Sequence, residues 1–244
     1  MPRVRAPQLR AQRLLRLIHK HRRLSRTELV ARTGYSPFLV SKLCDRLLEE
    51  GFIAEVGSGS STGGRPPTLH SIRPGLGRVV GLHVGSVNAR VAVSDLSGNL
   101  LEYEKIPSRV SEGPATALPH LIQLIERTLT KASVRKQSLD GIGIGISGIL
   151  DPVTGATWIW PRMPQWFNVP VQKTFADWFR TDVRVEDTPR TMALAELHFG
   201  VARDARDFIY LMFGAGVGVA LFWQGFGRAN SIRGPRVSQG SSGI

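Results

Sequence analysis

Ser36, Pro37, Phe38, Ser41, Lys42 and Arg46 lie close together in the sequence, and their types suit contact with a polyanion. Hydroxyl, ammonium and guanidinium groups donate hydrogen bonds to phosphate oxygens or base edges, and an aromatic ring can lie against a thymine methyl. The alternative for Phe38 is partial burial against a preceding helix. A further cation, Arg65, stands in Gly63-Gly64-Arg65-Pro66-Pro67. An extended basic tip of this kind suits a narrow minor groove; the alternative is an ordinary hairpin with a solvated arginine.

These side chains need elements to present them. "QLRAQRLLRLIHKHR" sets Leu9, Leu14, Leu15, Leu17 and Ile18 mainly along one helical face, with Arg and Lys opposite. In "LSRTELVARTG", Ser25 with Glu28 three residues later is a capping-box pattern, and Gly34 is a natural stop. "YSPFLVSKLCDRLLEEG" then starts on Ser36 as N-cap with Pro37 at the first helical position. Val40, Leu43, Cys44 and Leu47 form its buried stripe, and Gly51 ends it. Two short helices joined by a tight glycine turn, after a longer helix, predict a helix-turn-helix. Its second short helix is the recognition candidate, with Pro37, Phe38, Ser41 and Lys42 outward near its start. "FIAEVGSGSSTGGRPPTLHSI" adds strand, glycine-serine tip and strand, which is a wing.

Charge supports this division. The chain carries +13, but residues 1–78 hold 15 Lys+Arg against 5 Asp+Glu, while residues 79–244 hold 17 against 14. A basic block ahead of a nearly neutral body points to a polyanion-binding module joined to something else. A basic arm for RNA or ribosomes is the alternative that charge alone leaves open. At 244 residues and 42% hydrophobic, the chain can build a proper core. No apolar run reaches the ~18 residues of a membrane span. The start lacks the apolar core of a secretory signal, so a cytoplasmic location is the default. Cys44 is the only cysteine, which excludes a disulfide framework and an all-cysteine zinc site.

The helix pattern of "LSRTELVARTGYSPFLVSKLCDRLLEEGFI" followed by "STGGRPP" resembles the winged helix-turn-helix of the ROK family of repressors, open reading frames and kinases. From Val79 the similarity continues into that family's actin-like domain. "VVGLHVGSVNARVAVSDLSGNLLEYEKIP" matches the opening hairpin and third strand, and "TALPHLIQLIERTLTKA" an amphipathic helix. "LDGIGIGISGILDPVTG" reads as one buried parallel strand ending at a glycine bend. "QWFNVPVQKTFADWF", "VRVEDTPRTMALAELHFG" and "FIYLMFGAGVGVALFWQG" complete the pattern, which runs from about residue 9 to Ile232. The fold implied is α/β: a winged helix-turn-helix over 1–73, then a partial actin-like (ribonuclease H-like) body with a mixed sheet and flanking helices. Its first lobe spans 74–205 and the start of a second lobe 206–225, leaving 226–244 as an irregular tail where the family pattern is lost.

The resemblance also marks what the body lacks. The family's kinases carry an aspartate in the first phosphate loop; His83 stands there, with Gly85 kept. The catalytic asparagine-aspartate pair falls on Asp187 and Thr188, and threonine cannot act as a base near neutral pH. The second loop reads Gly214-Ala215-Gly216, without the usual hydroxyl. A capping role ahead of Pro189 suits Asp187 better than catalysis, and a hydrogen-bonded strand residue suits His83. The family's sugar-binding Glu and His fall on Pro235 and Ser238, and no zinc ligands follow; the expectation is a C-terminally truncated member. The reading is thus a DNA-binding regulator, a repressor tied to sugar metabolism, with duplex DNA as partner. The full-length family adds a sugar or sugar-phosphate effector, but without the Glu and His contacts weak or no ligand response is expected of this chain; a homodimer is the expected assembly. No enzyme activity, cofactor, metal site or membrane contact is expected. The alternatives are a sugar kinase with a DNA-binding head and a nonfunctional remnant. The apolar residues Ile209, Leu211, Phe213, Val217, Val219, Leu221 and Trp223 are expected to face water or another chain.

Overall fold

A computed structural model describes residues 6–59, 66–160, 163–203, 205–213 and 217–223. Three helices open it: α1 (Ala6–His21), α2 (Arg26–Thr33) and α3 (Pro37–Glu49), followed by strands β2 (Ile53–Ser58) and β3 (Thr68–Ile72). The short strand β1 (Leu24–Ser25) precedes α2 and pairs antiparallel with β3, giving a three-stranded sheet ordered β1-β3-β2. The helices close over this sheet on one cluster: Leu14, Ile18, Leu24, Leu29, Val40, Leu43, Cys44, Leu47, Ile53 and Ile72. Each is at most 8% exposed, so the apolar stripes of all three helices are spent on one core. Leu9 is the exception to the expected α1 face, at 51% exposed. At about 100° per residue, five positions place it roughly 140° around the helix from Leu14.

The body begins with β4 (Val79–Val84), β5 (Asn88–Ser94) and β6 (Leu100–Pro107), then α4 (Pro114–Lys131) and β7 (Gly141–Ile146). Helix α5 (Val171–Phe179), strand β10 (Val183–Asp187) and helix α6 (Thr188–Phe199) follow. The mixed five-stranded sheet has the order β10-β7-β4-β5-β6. Alternation decides which face is buried: Val80, Leu82 and Val84 on β4, and Ala89, Val91 and Val93 on β5, are sealed, while their neighbours are not. The stretch after Gly141 is more than one strand. β7 stops at Ile146, and Gly148, with φ +114, turns the chain into a small hairpin of β8 (Ile149–Leu150) and β9 (Thr157–Ile159). A Cβ at Gly148 would lie 2.6 Å from the Ile159 carbonyl oxygen, so the turn depends on glycine.

Strands β11 (Phe208–Phe213) and β12 (Val217–Phe222) form an antiparallel pair in register from Phe208↔Phe222 to Phe213↔Val217. One face packs on α6 through Ala193, Leu197, Phe208, Tyr210, Ala220 and Phe222. The other carries the expected exposed row: Ile209, Leu211, Phe213, Val217, Val219 and Leu221, with Trp223 just beyond. The described chain divides into two compact units. One holds the chain through Gly81 with Val91–Glu104 and Leu124–Ile142; the other holds Leu82–Arg90, Lys105–Gln123 and the chain from Gly143. Among the described residues no helix is long and apolar enough to cross a membrane.

Candidate nucleic-acid interface

The turn between α2 and α3 is set by its caps. The Ser25 hydroxyl accepts from the Glu28 amide, and the Glu28 carboxylate accepts from the Ser25 amide, completing the capping box. Those hydrogen bonds with Ser25 pull the Glu28 carboxyl below its ordinary range. Gly34 ends α2 in the left-handed conformation, φ +70, with its amide donating to the Val30 carbonyl. Three residues later Pro37 opens α3, and the Ser36 hydroxyl accepts from the Leu39 amide at 3.3 Å. The start of α3 is therefore fixed by its own residues.

That start presents Phe38 outward at 79% exposed, which excludes partial burial of this ring against a preceding helix. Lys42 is also exposed on α3. Ser41 is already engaged: its hydroxyl accepts from Arg26 Nη1 at 2.5 Å, and Arg26 Nη2 reaches Asp45 Oδ1 at 2.6 Å. Arg46 is exposed and donates to Glu50 one turn on, at 2.7 Å. Three of the expected contacts, Ser36, Ser41 and Arg46, thus have partners within the head, whereas Phe38 and Lys42 have their functional ends in solvent.

The wing base is irregular between Glu55 and Ser58, where Gly57 takes φ +113, and it closes with the Gly59 amide on the Pro67 carbonyl at 2.8 Å. Arg65 lies outside the described residues. Under the wing His70 is fully buried, with its Nε2 4.0 Å from Glu55 Oε1. Burial first, then the Arg26 charge, lowers its pKa, so His70 is neutral at pH 7.

Three of the positions singled out in the body, His83, Gly85 and Asp187, are engaged in local structure. His83 Nδ1 lies 3.3 Å from Arg90 Nη1, and burial followed by that guanidinium lowers its pKa. The Gly85 amide donates to the Asn88 carbonyl at 3.0 Å. Asp187 caps α6 by accepting from the Arg190 amide at 2.8 Å, and burial raises its carboxyl pKa. Thr188 is 2% exposed and its hydroxyl has no hydrogen-bond partner among the described residues. None of these four positions bonds to another among the described residues, and Gly214, Ala215 and Gly216 lie outside them. Among the described residues no group of three or more His, Cys, Asp or Glu could hold a metal ion.

Sequence reasoning missed β1 and the Arg26–Ser41–Asp45 link. A two-residue strand has no period to detect, and residues 26, 41 and 45 meet only because the helices cross. The Ser25 cap, which places Arg26 at the first position of α2, was the available signal.

A helix-turn-helix with a wing and an actin-like body define a class, and comparison with known proteins places the chain within it. The winged helix-turn-helix DNA-binding profile matches residues 10–54, and the ROK family profile matches residues 79–229. The chain belongs to the ROK family. It is 30% identical over 208 residues to a xylose repressor of Caldicellulosiruptor bescii, covering 85% of this chain and 52% of that protein. It is 27% identical over 219 residues to the DNA-binding transcriptional dual regulator NagC of Escherichia coli K12, covering 89% and 53%. A solved ROK family transcriptional regulator, a homolog of the E. coli MLC protein, shares the fold at TM-score 0.65 and 21% identity, over 89% of this chain and 55% of that one. A ROK hexokinase from Thermus thermophilus matches at TM-score 0.52 and 28% identity, over 60% and 47%. The chain spans about half the length of the curated relatives it matches.

Proposed function

We propose that this chain is a sequence-specific DNA-binding transcriptional regulator of the ROK type, a repressor linked to sugar metabolism, acting in the cytoplasm without kinase activity. The observation that carries this reading is the capped start of α3, which holds Phe38 and Lys42 outward on a rigid helix in the basic part of the chain. Helix-turn-helix proteins place that part of the second helix in the major groove. The names of the relatives, a xylose repressor and NagC among them, support the regulatory assignment and its sugar link. Duplex DNA is the partner, and a second copy, giving two half-sites, belongs to the same reading.

Selection of duplexes from a random pool by the full chain tests it. Enrichment of one motif, abolished by deleting residues 1–73, is the expected result. The rival reading, a sugar kinase carrying a DNA-binding head, has the hexokinase likeness in its favour. ATP turnover with hexoses, pentoses or N-acetylated sugars separates the two. Thr188 at the base position speaks for none.

A further inference from the structure

Asp95 closes the turn between β5 and β6 and is 3% exposed. Its Oδ1 accepts from the Ser97 amide at 2.9 Å, the Ser97 hydroxyl at 2.7 Å and the Asn99 amide at 2.9 Å. Its Oδ2 accepts from Asn99 Nδ2 at 2.9 Å. Those bonds complete the hairpin turn by themselves. One more donor comes from elsewhere: the Gly75 amide, 2.9 Å from Oδ2, lies in the segment joining the wing to β4.

The same segment is held at every following residue. The Leu96 amide donates to the Leu76 carbonyl at 2.9 Å. Gly77, at φ +65, sits so close to Leu96 that a Cβ would fall 2.6 Å from its Cγ. The Arg78 amide donates to Asp140 Oδ2 at 2.7 Å, and the Asp140 amide returns a bond to the Arg78 carbonyl at 2.8 Å. From the head itself, Arg22 at the end of α1 donates through Nη1 to the Ser97 carbonyl at 3.0 Å. All of these residues fall in one compact unit. Linkers between modules are ordinarily exposed and sparsely bonded. This one is bonded on two sides, by the buried Asp95 carboxylate and by Asp140.

We infer that Asp95 is a positioning residue that fastens the linker beneath the DNA-binding head to the first hairpin of the body, so that head and hairpin move as one piece. This rests on the DNA-binding reading only for its consequence. The mechanical part stands on the bonds themselves. A head fixed in this way presents its recognition helix in one orientation, and two copies accept one half-site spacing. With the linker released, each head turns independently and spacing ceases to matter.

The test uses the full chain and Asp95→Asn, which keeps the side chain's size but removes the charge, with Arg22→Ala as a milder second variant. Trypsin cleavage after Arg78 and amide exchange at Gly75 read the linker directly. A bond to a charged group is strong enough that its loss should speed both by roughly ten- to hundredfold in Asp95→Asn, and by less in Arg22→Ala. Circular dichroism should show both variants folded at the temperature of the assay, with melting lowered only by the stability that the lost hydrogen bonds contribute. On duplexes with two half-sites selected by the wild-type chain, affinity at the preferred spacing should fall and the penalty for altered spacing should shrink. Linker protection unchanged in both variants overturns the proposal, as does faster cleavage accompanied by melting of the whole chain. If no duplex is selected at all, the DNA-binding reading fails, and the linker measurements still decide the clamp.

Discussion

Arg26 and Asp45 form a 2.6 Å ion pair that ties the first turn of α2 to the third turn of α3. The same guanidinium holds the Ser41 hydroxyl, so the crossing of the two helices is fixed by polar contacts at its outer edge and by Leu29, Val40, Leu43 and Leu47 beneath. The pair is partly exposed, 36% and 53%, and pairs of that kind contribute about 0–1 kcal/mol. Arg26→Ala should therefore lower the unfolding free energy by at most about 1 kcal/mol in urea titration. A loss above ~3 kcal/mol would mean that the pair behaves as a buried one.

Phe38 and Leu47 lie on opposite sides of α3, 79% and 2% exposed. Phe38→Ala should leave stability within ~0.5 kcal/mol while weakening binding to a selected duplex. Leu47→Ala should cost about 2–5 kcal/mol through the cavity it opens. Denaturant melts beside fluorescence anisotropy separate the two effects. A stability loss from Phe38→Ala comparable to that from Leu47→Ala would contradict an outward ring.

Asp187 has a structural task at the start of α6. Asp187→Ala removes the cap on the Arg190 amide and should cost about 1 kcal/mol. Phosphoryl transfer from ATP to sugars should be absent before and after. Measurable turnover in the parent that disappears in the variant would restore a catalytic role to this carboxylate.

Burial alone would raise the Asp95 pKa, but the donors from Ser97, Gly75 and Asn99 bring it down to about 2. A carboxyl depressed in the folded state contributes stability above its unfolded pKa of about 3.9, and that contribution is lost as pH falls through about 2. The native chain should thus lose about 2 kcal/mol between pH 4 and pH 2 that Asp95→Asn does not lose. Parallel acid titrations of the two proteins by circular dichroism supply the comparison, and identical curves would contradict the hydrogen-bonding described.

The head was legible because each of its signals is local. Ser25 with Glu28, Gly34, and Ser36 with Pro37 announce their caps within four residues, and Val40, Leu43, Cys44 and Leu47 repeat at helical spacing. The outward row on β11 and β12 was legible for the same reason, at period two. What escaped notice depends on contacts distant in sequence. Arg26 meets Asp45 across nineteen positions and Asp95 meets Gly75 across twenty, and nothing in either neighbourhood marks the partner. The β8–β9 hairpin was hidden in an apolar run where Gly148 looked like an end and not a turn. Ser41 and Arg46 were legible as donors, but not the partners that occupy them.

The most direct test of the account is the salt dependence of binding by the full chain and Lys42→Ala to a duplex selected by the full chain. Each phosphate contact adds about 0.9 to the magnitude of the slope of log affinity against log salt. A steep slope for the parent, with Lys42→Ala binding more weakly and its slope reduced by about 1, is the predicted result. Affinity that resides in residues 74–244, or binding by both proteins that is indifferent to salt and to Lys42, would contradict the central claim that this chain reads DNA through α3.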